Sequence, residues 1–297
     1  MNHVKRIVCG SDFSAASDEA LRQALAYAAT GARVTFVHGL PLPLVAGRGA
    51  TVAMVPVAAE LVDEGELERH ATLRLRAQIG RVQEGAEKSA EIAVVFEDPC
   101  AAILRCAEER KAELIIVGSR GATGLRRMVL GSVAESVVRH APIPVLVARP
   151  SPPSGVVLAA TDLSDASRAA LVAAGGEAKR RGAKLTVLHC LDLAPEMMAM
   201  GFAPLPPASP DDPRSRPALA KRAAEELRAQ LATLGVKGEV VVDPGSPRAA
   251  IPELAEQMRA ELVVVGARGR GRLARLLLGS VAESVVRHAH CPVLTVR

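Results

Sequence analysis

The stretch LGSVAESVVRHA occurs twice without a difference, at Leu130–Ala141 and again at Leu278–Ala289. It is the most exact part of a longer duplication. VCGSDFS beginning at Val8 corresponds to AATDLS beginning at Ala159. GARVTFVHGL at Gly31 corresponds to GAKLTVLHCL at Gly182, and KAELIIVGSRG at Lys111 to RAELVVVGARG at Arg259. Order and spacing are nearly constant, so the chain must fold as one architecture made twice. Its 297 residues suit two domains of roughly 150 residues, each large enough to bury its own interior. The expected domains are 1–149 and 155–297, joined by the proline-rich stretch Arg149–Gly155 as a short, stiff linker.

Within each copy, short β-rich runs alternate with helical patterns. In the first copy the sequence predicts strands at Val4–Cys9, Arg33–His38, Glu91–Phe96, Glu113–Val117 and Val145–Ala148. Helices are expected near Ser14–Thr30, Ala58–Ile79, Cys100–Lys111 and Val133–His140. Unbroken apolar strands such as LIIV point to burial on both faces, the signature of a parallel sheet covered by helices. The fold class expected is therefore α/β: two doubly wound, Rossmann-like domains. Ligands of such sheets bind outside the carboxyl ends of the strands.

With no Trp, one Tyr and four Phe, the core must be aliphatic. The five cysteines fall mostly in apolar runs without paired spacing, which reads as reduced thiols in a cytoplasmic protein. The apolar run before Asp12 is too short for a secretory signal, and no segment has about 18 uninterrupted apolar residues, so no membrane partner is expected. A net charge of +5 would tolerate nucleic acid, but the basic residues are scattered among acids and stacking aromatics are scarce, which disfavours that partner.

After the fourth predicted strand the first copy reads Gly118-Ser-Arg-Gly121, nine residues, then Gly131-Ser132; the second reads Gly266-Ala-Arg-Gly269, nine residues, then Gly279-Ser280. A strand ending in glycine, a glycine-bearing loop and a helix amino terminus let backbone N–H groups approach an anion. Arg120, Arg126 and Arg127, and Arg268, Arg270, Arg272 and Arg275, could neutralise phosphates. The same residues admit a plainer reading. Ser132 with Glu135 and Ser280 with Glu283 fit a capping box, and Val133, Val137 and His140 fit a packing stripe. No Walker lysine loop occurs, and CGSDFS and ATDLSD replace the glycine fingerprint of dinucleotide-binding folds.

The full G-x2-G-x9-G-[ST] spacing, an aspartate closing the first strand and a histidine near the end of the second resemble the universal stress protein family, over essentially the whole chain and in both copies. The resemblance implies a five-stranded parallel sheet of order 3-2-1-4-5 in each domain and ATP bound at the glycine loop. It would put Asp12 and Asp162 beside adenosine, with Ser11 and Thr161 adjacent. Gly39 and Cys190 stand where relatives often carry valine and hold adenine through backbone groups; at Gly39 the adenine is expected to lose a packing wall. Val117, Gly118, Arg120, Gly121, Gly131, Ser132 and Val133 would line ribose and phosphates in the first copy. Val265, Gly266, Arg268, Gly269, Gly279, Ser280 and Val281 would do so in the second.

One departure concerns the turn before the third helix, Gly245-Ser-Pro247 in the second copy but Glu97-Asp-Pro99 in the first. The acidic pair would either repel phosphate or hold a divalent cation. Asp12 and Asp162 also suit a plain turn and helix cap. His38 and His189 read as hydrogen-bonded core or rim groups. The His288, His290 and Cys291 cluster, present only in the second copy, needs no metal, because a histidine at a helix carboxyl end is favourable with the dipole.

The resemblance implies an ATP-binding stress-response or signalling protein, with up to two nucleotides, Mg²⁺ carried between phosphates rather than by side chains, and little or no turnover. The alternatives are a slow ATPase or phosphotransferase, and a nucleotide-free scaffold. The last strands, PVLVAR and PVLTVR, would be exposed sheet edges needing cover. In relatives this strand pairs two domains, which implies intramolecular pairing of the halves and leaves room for homo-oligomers and an unknown signalling partner. Leu40–Val57 and Leu191–Pro217 read by default as disordered loops, with lids over the nucleotide and partner surfaces as the alternatives.

Overall fold

The computed structural model describes residues 4–41, 63–119, 130–151, 153–191, 216–268 and 278–297. The described residues of Val4–Leu125 and Gly131–Val137 form one compact unit, and Leu130 with those of Val138–Arg297 the other.

The amino-terminal unit runs β1 (Arg6–Gly10), α1 (Ala15–Ala28), β2 (Arg33–Gly39), α2 (Glu64–Val82), β3 (Glu91–Val95), α3 (Pro99–Glu109) and β4 (Leu114–Gly118), then enters α4 (Ser132–His140), where the division falls. Its strands lie in the order β3-β2-β1-β4, all parallel. Val8, Leu114, Ile115 and Ile116 are fully buried, as their unbroken apolar runs require. Helix starts follow local chemistry. The Ser14 side chain accepts from the amide of Ser17, that of Asp63 from Glu66, and that of Asp98 from Cys100 and Ala101, with Pro99 at the first helical position. The expected start of α2 at Ala58 lies outside the described residues.

The carboxyl-terminal unit contains β5 (Val145–Ala148), β6 (Val156–Thr161), α5 (Asp165–Arg181), β7 (Lys184–Cys190), α6 (Arg216–Leu234), β8 (Glu239–Asp243), α7 (Pro247–Gln257), β9 (Leu262–Gly266), α8 (Ser280–His288) and β10 (Val293–Val296). Five strands are parallel in the order β8-β7-β6-β9-β10, the 3-2-1-4-5 arrangement expected for this copy. The sheet is not purely parallel, however. β5, the last strand of the first copy, pairs antiparallel with β10, placing Leu146 opposite Leu294 and Val147 opposite Val293. The edge left by β10 is thereby covered. All four side chains are fully buried. Arg149, itself buried, donates to the carbonyls of Val286 and Cys291.

Among the described residues, no helix is long and apolar enough to cross a membrane.

Candidate functional site

Each first strand ends in the same tight turn. Asp12 accepts from the amide and hydroxyl of Ser14 at 3.1 and 2.5 Å, and Asp162 from those of Ser164 at 3.0 and 2.5 Å. The residue between takes a left-handed conformation, Phe13 at φ 65° and Leu163 at φ 63°. Side chains rarely adopt that backbone, so both copies store local strain at the carboxyl end of the central strand. The aspartates therefore do serve the turn, and both carboxylates remain half-exposed.

The second-strand histidines brace this turn from the neighbouring strand. His38 Nδ1 donates to the Ser11 carbonyl at 2.7 Å, and His189 Nδ1 to the Thr161 carbonyl at 2.9 Å. The Phe13 ring lies 4.3 Å from that of His38, and the Arg74 guanidinium sits 4.2 Å over Phe13. Burial lowers the His38 pKa, and Arg74 acts in the same sense; the bond to Ser11 and the charge of Asp12 oppose them. As pH falls below the ordinary histidine value of about 6.5, the unfolded chain takes up the proton first. The stability contributed is complete above that value and is lost as pH falls through the lower folded one. In urea denaturation, His38→Gln should lose less stability than the parent on going from about pH 7.5 to about pH 5. Equal losses would show that another group carries the dependence.

In the carboxyl-terminal unit, a cleft of about 540 Å³ opens at the strand ends. That volume falls within the roughly 300–1,000 Å³ of small-molecule sites. Thr161, Asp162, Cys190, Val265, Gly266, Arg268, Gly279, Ser280 and Val281, all singled out by the motif, line it together. Gly269 lies outside the described residues, as do Arg120, Gly121, the other loop arginines, and most of both proline-rich segments. The cleft is also lined by Ala160, Leu188, Pro247, Ile251 and Ala282, which motif reasoning missed. Pro247 and Ile251 are four residues apart on α7 and so share one helix face, the signal that could have found them.

α8 begins at this cleft, with Gly279, Ser280 and Val281 in its lining. Gly279 is its N-cap, and among the described residues no side-chain hydrogen bond caps its start. The Ser-x-x-Glu capping box expected of Ser280 and Glu283 is not formed. Ser280 is the first helical residue rather than the cap, and Glu283 turns to Arg287 at 3.2 Å and Arg139 at 3.8 Å. Amides without a side-chain cap, the positive end of the helix dipole and the exposed Arg268 all favour an anion here.

In the amino-terminal unit, Ser11, Asp12, Gly39, Val117, Gly118, Gly131, Ser132 and Val133 occupy the equivalent elements. The Gly131 amide donates to the Ser119 carbonyl at 2.9 Å, as Gly279 does to Ala267 at 2.8 Å. Ser11 is committed elsewhere: its hydroxyl donates to Gln78 Oε1 at 2.6 Å in a buried network. A Cβ placed on Gly39 would lie 2.6 Å from Pro99 Cα and 3.2 Å from the Glu97 carbonyl, so the missing wall is replaced by α3 itself. Gly39→Ala should accordingly cost about 1–3 kcal/mol in denaturant unfolding, as overpacking against backbone does; a neutral result would place α3 farther from β2. The acidic pair is engaged, Asp98 capping α3 and Glu97 pairing with Arg105 at 3.3 Å.

The histidine–cysteine cluster is dispersed. His288 Nδ1 donates to the Ser284 carbonyl, His290 pairs with Glu256 at 3.4 Å, and burial pushes the Cys291 thiol up to about 11. Among the described residues no group of three or more His, Cys, Asp or Glu could hold a metal.

The signature described as the Universal stress protein family matches residues 3–149 and again 154–297. A universal stress protein of Mycobacterium bovis is 31% identical over 319 residues, covering 98% of this chain and 96% of its own. One from Mycolicibacterium smegmatis is 30% identical over 304 residues, with coverage of 98% and 96%. The crystal structure of a universal stress protein from Archaeoglobus fulgidus shares the fold, with a TM-score of 0.65 at 22% identity over 98% of both chains. The duplication first seen in the sequence is thus a duplication of this domain, and the chain belongs to the universal stress protein family.

Proposed function

We propose that the chain binds ATP, with Mg²⁺ carried between the phosphates, and that the nucleotide shifts its conformation or assembly in a stress or signalling response with little or no turnover. The observation that carries this reading is the cleft at the strand ends, where bare glycines, Arg268 and an amino terminus without a side-chain cap converge beneath an apolar wall. The amides of Ser280 and Val281 with Arg268 would hold phosphates; Asp162, Thr161 and the main chain at Cys190 would hold adenosine. The repeats are taken as 1–149 and 155–297, acting in the cytoplasm, with association of chains and a signalling partner as parts of the same proposal.

The test is direct. Nucleotide extracted from the purified protein and identified by chromatography should be ATP, or added ATP should bind. If no nucleotide is extracted and added ATP does not bind, a nucleotide-free scaffold remains and the proposal fails. Phosphate release, compared among the parent, Ser132→Ala and Ser280→Ala, separates binder from slow ATPase or phosphotransferase. Vigorous turnover lost in those variants would overturn the non-enzymatic reading.

A further inference from the structure

We infer that the two repeats are unequal: the carboxyl-terminal cleft is the nucleotide site, its amino-terminal counterpart is closed by α3, and the full chain holds one nucleotide. This rests on the ATP-binding reading above and narrows it.

Four positions decide the matter. In the carboxyl-terminal unit Ala160, Cys190, Pro247 and Ile251 all line the cleft. Their counterparts by repeat alignment are Gly10, Gly39, Pro99 and Ile103. These pack directly on one another. A Cβ on Gly10 would lie 2.5 Å from Ile103 Cδ1, and one on Gly39 would lie 2.6 Å from Pro99 Cα and 3.1 Å from Pro99 N. Carbon atoms in good contact are about 3.5–4.0 Å apart. The helix therefore occupies the space that two side chains claim in the other repeat. α3 packs broadly over β1 and β2, whereas α7 touches β7 more sparingly. Cβ atoms at Ala160 and Cys190 hold α7 off its sheet, and the gap beneath it is the cleft.

Reopening the first repeat would mean lifting α3 from a seated apolar face, since Ala102, Ile103, Cys106 and Ala107 are buried. The turn leading into α3 differs as well: it carries Glu97 and Asp98 where the other repeat has Gly245 and Ser246, and Asp98 caps α3 and fixes its start beside Gly39.

The cysteines supply an internal reporter. Cys9, Cys100, Cys106 and Cys291 are buried, and only Cys190, in the cleft wall, is partly exposed. The experiment uses the full chain stripped of nucleotide, with ATP and Mg²⁺ as the probe. Equilibrium dialysis should give one ATP per chain. Ser280→Asp should weaken that binding by about 100-fold or more, while Ser132→Asp, at the position the resemblance gives to a first phosphate site, should leave stoichiometry and affinity unchanged because that site is closed. Either aspartate would sit at the first position of its helix, where it favours the helix, so loss of fold does not confound the comparison. In the parent, ATP should slow iodoacetamide alkylation of Cys190 several-fold, read by peptide mass. Two ATP per chain, or binding lost in Ser132→Asp and kept in Ser280→Asp, overturns the inequality but leaves the nucleotide reading standing. No binding together with no protection of Cys190 overturns the nucleotide reading and this inference with it.

Discussion

Ser280→Asp is expected to weaken ATP binding by about 100-fold or more while leaving the fold as stable as the parent or slightly more so. The opposite signs follow from one geometry. Ser280 is the first residue of α8, exposed, with Gly279 as cap and, among the described residues, no side-chain hydrogen bond capping the helix. A carboxylate there interacts favourably with the helix dipole, worth about 0.3–1 kcal/mol. It also places a fixed negative charge where the phosphates would be received. Calorimetric titration and thermal unfolding of the same sample read both effects. Ser280→Ala, which removes a hydroxyl without adding charge, should cost no more than about tenfold in affinity. An aspartate variant that binds ATP like the parent would remove α8 from the phosphate site, and one that loses affinity and stability together would point to a damaged helix.

The largest stability effect is expected at the antiparallel pair. Leu294→Ala should lower the unfolding free energy by about 2–5 kcal/mol, the range for a fully buried leucine. Leu146, its register partner, should behave alike. If β5 and β10 are one packed element, the double variant should deviate from additivity by about 0.5–3 kcal/mol. Leu73→Ala is the matched control, since that side chain is 66% exposed; it should stay within about 0.5 kcal/mol. Additive losses at positions 146 and 294 would mean that the strands do not share a core.

Much of this was legible from residue patterns. The apolar runs IVCG, LIIV and VLVA became strands within two residues of their expected ends, because a strand buried on both faces has almost no polar positions to confuse its limits. The motif residues of the second copy came together because glycine, serine and arginine at fixed spacing follow one strand–loop–helix connection. The depth at which a helix seats was not legible, although α1, α3 and α4 lie within two residues of their expected bounds. Gly39 reads as a lost wall, yet α3 moves in until Pro99 meets it, since the depth at which a helix settles depends on facing residues far apart in sequence. The capping box failed for a local reason: the pattern Ser-x-x-Glu does not say which residue is the cap, and Gly279 took that place. Pro247 and Ile251 carry no polar side-chain group that would mark them as ligand contacts, although the cleft wall is mostly apolar.

The strand pairing also sets an order of events during synthesis. The Thr295 hydroxyl reaches the carbonyl of Val145, which the ribosome made 150 residues earlier. β5 must therefore wait, without its β10 partner, until about 150 further residues have been translated. Contacts so distant in sequence form late and slowly. A chain stalled or cleaved before Val293 would leave β5 without that partner, an apolar edge able to capture the same strand from another copy.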